Sequence, residues 1–261
     1  MKQSIYFLDA FTSEIFKGNP AAVCPLDNWL SETQMQKIAA ENNLAETAFL
    51  VKKLDHYELR WFTPTVEVDL CGHATLASAY VIFNNLNYSG SQIRFETKSG
   101  SLFVNRNKER LTLDFPGRVV ESCNPTKELL ANFSNPPKEV LKSGTGTYII
   151  LLDNENDVTG FKPDFAKLAL VDRCVNITAP GSNCDFVSRF FGPNIGLPED
   201  SVTGSAHCGL AIYWSKKLAR TDELHAVQLS ARTGEIFCQV VNDRVLLSGY
   251  VAPYLEGHIN I

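Results

Sequence analysis

A chain of 261 residues, 44% hydrophobic and 20% charged, can bury a sizeable core and suits one large or two small domains. Its formal net charge of −5 and pI near 5.6 argue against nucleic acid or an anionic membrane as a general partner. No apolar run approaches the roughly 18 residues that span a bilayer, and Met1-Lys2-Gln3-Ser4 leads into a strand rather than a signal sequence. The seven cysteines are odd in number and scattered without a Cys-x-x-Cys, which fits free thiols in a reducing cytosol.

Taken in order, Ser4 to Phe11 is rich in β-formers and reads as an opening strand. Gly18-Asn19-Pro20 is a turn signal, and Ala21 to Cys24 is the next strand. Ser31 introduces a helix through about Asn43, with Trp29, Met35, Ile38 and Ala39 on an apolar side. Leu44-Ala45-Glu46-Thr47 breaks it ahead of a short buried strand, Ala48 to Val51, and Glu58 to Phe62 alternates. Asp69-Leu70-Cys71-Gly72-His73 then introduces Ala74 to Phe83, apolar on every side at helical spacing and so buried all round. An antiparallel meander follows over Ile93 to Glu96, Leu102 to Asn105 and Leu111 to Phe115.

Residues 116–143 carry four prolines and no strong strand pattern, apart from a short helix near Lys127 to Asn132. The domain crossover is placed there, at about 116–145, dividing an N-terminal half (1–117) from a C-terminal half (118–261). Thr147 to Leu152 opens the second half as a strand, Phe165 to Val171 is a helix, and Asn183 to Phe191 is another strand. A second buried helix from Gly204 and a closing meander from Val227 to Val251 complete the chain.

The two buried helices are copies. An offset of 132 residues sets Gly72 on Gly204, Glu67 on Glu199, Ala74 on Ala206 and Ala79 on Ala211. Downstream an offset of 134 lays Phe95 to Phe103 against Leu229 to Phe237. The chain therefore reads as two related halves, each a helix with its own antiparallel strands. The free N–H groups and positive dipole end at each helix start suit an anion.

Four separated stretches now stand in order: Gly18 to Val23, Ala45 to Phe49, Asp69 to Thr75 and Glu199 to Ala206. On these the chain resembles the PhzF family, the phenazine-biosynthesis-like isomerases of the diaminopimelate-epimerase-like fold. The resemblance spans nearly the whole length. It implies an α+β protein of two pseudo-symmetric domains, each an antiparallel sheet wrapped around a central helix, with the active site in the cleft between them. It also implies a cofactor-free, often dimeric, proton-transfer isomerase; the anion-suited helix starts point to a small carboxylate-bearing substrate, and the free thiols to a cytoplasmic location. Glu46 matches the family's proton-moving glutamate, while His73 and Asp200 match its other active-site residues. Asn19, Gly72, Ala74, Gly204, Ser205 and Ala206 are the expected substrate-binding positions. Ser201 stands where the family commonly has proline.

Each residue also has a plainer reading. Glu46 could cap a turn, although partial desolvation there would raise its pKa towards a general acid/base range. His73 could be a core histidine, and the helix dipole favours its neutral form. Asp200 could be a helix N-cap. A two-thiol racemase needs a cysteine partner for Cys71, but the offset puts Thr203 there. A metal site from Cys71, His73, His207 and Cys208 lacks zinc-type ligand spacing, so none is expected. A non-catalytic anion-binding protein on the same fold is the remaining alternative.

Overall fold

The structure is a computed structural model and describes residues 2–144 and 146–261. Met1, where the chain opens, and Thr145, at the end of the expected crossover, lie outside the described residues. The protein is α+β and divides into two compact units. One runs to Asp114 and takes in Ser248–Ile261; the other is Phe115–Leu247.

The first unit holds β1 (Lys2–Ala10), β2 (Asn19–Leu26), α1 (Glu32–Asn42), β3 (Glu46–Lys52), β4 (Tyr57–Phe62) and β5 (Glu67–Val68). It continues through α2 (Gly72–Asn84), β6 (Gln92–Thr97), β7 (Gly100–Asn107) and β8 (Arg110–Pro116). Helix α1 starts at a capping box, Ser31 with Gln34, and stops at Asn43, whose φ of 48° is left-handed. That turn delivers the chain directly into β3, so Glu46 is a strand residue rather than part of the break. Met35 and Ala39 of α1 pack on Phe49 and Phe62.

Helix α2 is buried along almost its whole length, as an all-round apolar sequence requires. Its two buried hydroxyls bond back to the helix, Thr75 to the Cys71 carbonyl and Ser78 to that of Ala74, so neither is left unpaired. Most strand pairs are antiparallel. Two are parallel: β2 with β3, joined through α1, and β4 with β6, joined through β5 and α2. Parallel neighbours need such a crossover, which is why each helix lies between a parallel pair.

The second unit repeats the plan with β9 (Val120–Ser122), α3 (Lys127–Leu130), β10 (Glu139–Ser143), β11 (Thr147–Leu151), α4 (Glu155–Gly160), α5 (Phe165–Leu168) and β12 (Cys174–Pro180). Then come β13 (Phe186–Gly192), β14 (Leu197–Asp200), α6 (Gly204–Leu218), β15 (Leu224–Gln228), β16 (Gly234–Val241) and β17 (Arg244–Gly249). Again β11 and β12 are parallel across helices, and so are β13 and β15 across β14 and α6. Even a salt bridge repeats. Arg60 on β4 holds Glu67 on β5 at 2.7 Å and stacks on Phe62, while Arg189 on β13 holds Glu199 on β14 at 2.8 Å and stacks on Phe191.

Residues 116–143, read as strandless, contain β9 and β10. These strands are short and partly exposed, and Pro125, Pro136 and Pro137 lie in the segment between them. The expected helix over 165–171 is a single turn capped by Asp164. After its eighth strand each repeat supplies a ninth to the other unit's sheet. β9 follows β8 and pairs with β10, whereas the last strand, β18 (Val251–Asn260), follows β17 and pairs with β1 from Lys2↔Asn260 to Ala10↔Val251. The final residues thus belong with the first unit, which a single cut at 117 assigns to the second.

Candidate active site

Three elements of the first unit meet at one edge. In the parallel pair β2 and β3, Ala21 lies opposite Glu46, so Asn19 and Glu46 both stand at strand starts. β4 runs back along β3, with Thr47 opposite Phe62, and so ends at that edge before the chain turns through β5 into α2. His73 is the second residue of α2. Gly18 fixes the approach to Asn19: its φ is +64°, and a Cβ there would lie 2.2 Å from the Ala10 carbonyl oxygen.

Around His73 the side chains converge. Its Nε2 lies 3.0 Å from Oε2 of Glu46, with the two side chains 8% and 18% exposed. Asn19 Nδ2 is 3.2 Å from Nδ1, and Cys71 Sγ is 3.6 Å from the same nitrogen. The Glu46 contact is a charge pair off the hydrogen-bond axis. Oε2 is cut off from solvent and keeps an uncommitted acceptor position.

The electrostatics reverse two expectations. Burial does push the Glu46 carboxyl up, but the charge of His73 and the polar contacts with His73 and Cys71 outweigh it, leaving the group below its ordinary value. Burial pushes His73 down, yet its contacts with Cys71 and Glu46 carry it well above its ordinary value. The carboxyl is thus held down and the ring held up, where the sequence suggested a raised carboxyl and a neutral ring. Read singly, each residue shows only its burial and its helix end. The partner that decides both states is visible only in the fold.

Cys71 is the N-cap of α2 and makes no side-chain cap bond. Burial first, and Glu46 next, push its thiol up, so it is protonated and a poor base. Its counterpart Thr203 is the N-cap of α6, and the Thr203 hydroxyl donates to Asp200 Oδ2 at 2.6 Å. The plainer reading of Asp200 as the N-cap is thus corrected: Asp200 ends β14 and supports the cap residue from outside the helix.

One residue there was missed by sequence reasoning. Buried Gln228 accepts from the Thr203 N–H at 2.8 Å and donates to the Asp200 carbonyl at 2.8 Å, tying β14 to the start of α6. The signal was present in the alternation of β15, where Leu224, Ala226 and Gln228 all face inward. An amide on a buried face calls for a specific partner.

The substrate-binding positions expected from the resemblance occupy helix starts. Gly72 and Ala74 lie in the first turn of α2, and Gly204, Ser205 and Ala206 in that of α6. Helices α1, α3, α4 and α5 each have a side-chain cap, from Ser31, Thr126, Asn154 and Asp164, whereas α2 and α6 have none.

His207 donates through Nδ1 to the Thr203 carbonyl at 2.8 Å and stacks on Phe186; burial pushes its pKa down to about 4. Cys208 bonds back to the Gly204 carbonyl. Both are engaged by their own helix, unlike Glu46, Cys71 and His73, whose potential metal-binding atoms lie within 4.8 Å of one another. No helix among the described residues is long and apolar enough to cross a membrane.

Two duplicated α+β units, each with a central helix that lacks a side-chain cap, give the chain an epimerase-like fold, and the first unit carries the buried Glu46–His73 pair. A profile of the Phenazine biosynthesis-like protein family (PhzC-PhzF) matches residues 8–257, and the chain belongs to that family. It is 48% identical, over the full length of both chains, to an uncharacterized isomerase of Pseudomonas aeruginosa. Its fold is similar to that of a PhzF-family protein from Enterococcus faecalis, with a TM-score of 0.96, 42% identity and complete coverage of both chains. A "predicted epimerase" of Pseudomonas aeruginosa shares the fold at a TM-score of 0.74 and 21% identity, over 98% of this chain and 99% of its own.

Proposed function

We propose that this isomerase moves a proton between carbons of a small carboxylate-bearing substrate, with Glu46 as the group that carries it. The observation that carries the reading is the Glu46–His73 pair: a shielded carboxylate, held ionised, with an oxygen still uncommitted. Such a group is ready to take a proton from carbon without first losing one of its own.

Charge explains why His73 belongs in the step. When Glu46 accepts a proton it becomes neutral, and the negative charge passes to the substrate, spread from the carbanion centre into an adjacent carbonyl or carboxylate. His73 keeps its positive charge throughout and attracts whichever partner is negative. The pocket's net charge is conserved, so no charge is left alone in a poorly solvated place. Neutral Glu46 then gives its proton to the second carbon and resumes the pair with His73.

The uncapped starts of α2 and α6 support the substrate class. Gly72 and Ala74, beside the Glu46–His73 pair, offer backbone N–H groups to a carboxylate oxygen; Gly204, Ser205 and Ala206 hold the equivalent positions in α6, where Thr203 and Gln228 fix Asp200.

The test is solvent exchange. Small cyclic and acyclic carboxylic acids are incubated with the enzyme in deuterium oxide, and loss of individual C–H signals is followed by proton NMR. Exchange at a carbon next to a carbonyl or alkene is expected with the wild type and not with Glu46→Gln. Equal exchange by both proteins would overturn the reading.

A further inference from the structure

We propose that the gap between α6 and the β9–β10 strand pair binds a small monocarboxylic acid whose apolar body is about the size of one ring. The isomerase reading makes no use of this place, and all of it lies within the second unit.

The residue pattern builds the gap. Gly209, Ile212, Tyr213, Lys216 and Lys217 recur at helical spacing and share one face of α6. Glu139, Leu141 and Ser143 alternate along β10 and share one face of that strand, and Val120 of β9 lies opposite Ser143. From Gly209 to Lys217 the helix rises about 12 Å. From Ser143 back to Glu139 the strand covers about 13 Å, so the two faces meet at both ends. At one end they touch, since a Cβ on Gly209 would lie 2.0 Å from Ser143 Oγ. At the other end long side chains prop helix and strand apart. Glu139 accepts from the Tyr213 hydroxyl at 3.1 Å and from Lys217 Nζ at 2.5 Å, and that Nζ lies 5.3 Å from the centre of the Tyr213 ring. Between the pin and the prop lies a cavity of about 300 Å³, at the lower end of the range for small-molecule sites.

Its lining selects the ligand. Val120, Leu141 and Ile212 are aliphatic and favour an apolar body. Both Glu139 oxygens are engaged, and its charge is answered by Lys217. The exposed Lys216 ammonium pairs with no group among the described residues. Glu139, Lys216 and Lys217 therefore sum to a single positive charge, on a chain whose net charge is −5. A monoanion answers that charge at the wet rim while its apolar part fills the floor. A neutral molecule leaves Lys216 unused, and a dianion brings a second charge with no partner.

Benzoate is the probe. The full chain is labelled with carbon-13 at its isoleucine δ1 methyls, the Ile212 signal is assigned from Ile212→Val, and benzoate is titrated. A saturable shift of the Ile212 signal is expected. Benzamide, the same ring without the charge, should bind more weakly. Lys216→Gln should weaken benzoate about threefold and Lys216→Glu about tenfold, as suits one exposed charge lost or reversed. The other isoleucine signals, unmoved by these substitutions, establish that the variants are folded. No saturable shift at Ile212, benzamide binding as tightly as benzoate, or unchanged affinity in Lys216→Glu would each overturn the site. Glu46→Gln should leave the Ile212 shift as it is; its loss there would overturn the site too, by tracing the shift to the first unit. A failed isomerase reading changes none of these outcomes.

Discussion

Nε2 of His73 and Oε2 of Glu46, 3.0 Å apart, hold each other in opposite charge states inside a site that favours neither charge alone. Desolvation by itself would neutralise both groups. Desolvation is the largest single effect on each, but their contacts with one another and with Cys71 together outweigh it. The pair also makes the base dependent on the ring, since Glu46 stays ionised because His73 is charged.

Glu46→Gln tests the proton carrier. Glutamine keeps the shape and can still accept a hydrogen bond from His73, but it cannot take a proton from carbon. Turnover is expected to fall at least about a hundredfold with the fold retained. If Glu46 only shaped the start of β3, the change would cost roughly 1 kcal/mol or less of stability and spare turnover. Melting temperature and turnover measured on the same preparations separate the two.

His73→Gln tests the dependence from the other side. Without the His73 ring, the burial of Glu46 is opposed only by the Cys71 contact, so its carboxyl pKa should move from below the ordinary 4.5 to above it. Carbon-13 NMR titration of labelled glutamate, with a chelator present, follows that carboxyl directly. A pKa that does not rise in the variant would mean that His73 is not what keeps Glu46 ionised.

Much of this was legible in the sequence. The all-round apolar runs at Ala74 and Ala206 specified the two central helices, and the 132-residue echo specified the duplication. Ser31 announced α1, and in the fold it completes a capping box with Gln34. What escaped was non-local. The exchange of β9 and β18 depends on which edge each strand finds, and β18 is too exposed to carry a core-facing pattern. Cys174 to Pro180 is buried at every position but the last, so it lacks the alternation of a half-buried strand. The charge states of Glu46 and His73 needed a distance that no motif encodes.

Gly18→Ala probes the turn that delivers Asn19 to His73. An alanine at φ +64° costs about 1–2 kcal/mol, and its Cβ would also meet a backbone oxygen at 2.2 Å, which side-chain motion cannot relieve. Gly100 is the control, with φ +94° and nothing within 4 Å of a Cβ. Gly18→Ala should lose at least about 2 kcal/mol, lowering the melting temperature by about 4–8 °C for a chain of this size. Gly100→Ala should lose less. Equal losses would mean that close approach to Ala10 is not what requires Gly18.

His207 gives the protein a built-in acid sensitivity. The ring is fully buried, stacked on Phe186, and bonded through Nδ1 to the Thr203 carbonyl, while Nε2 has no hydrogen-bond partner. A proton on Nε2 would place an unpaired charge in the core, so burial pushes its pKa down from 6.5 to about 4. In the unfolded chain the same ring protonates near 6.5. A folded pKa below the unfolded one means that its contribution is complete above pH 6.5 and is lost as pH falls towards 4. With up to about 1.4 kcal/mol per pH unit, the loss over that window is about 3 kcal/mol. His207→Asn removes the titration and keeps an amide near the Thr203 carbonyl. The variant should be less stable at pH 8, because packing on Phe186 is lost, and the gap should narrow steadily on acidification below 6.5. Urea unfolding of both proteins at several pH values measures that gap. A gap that stays constant from pH 8 to pH 4 would show that His207 titrates in the fold as it does in the unfolded chain.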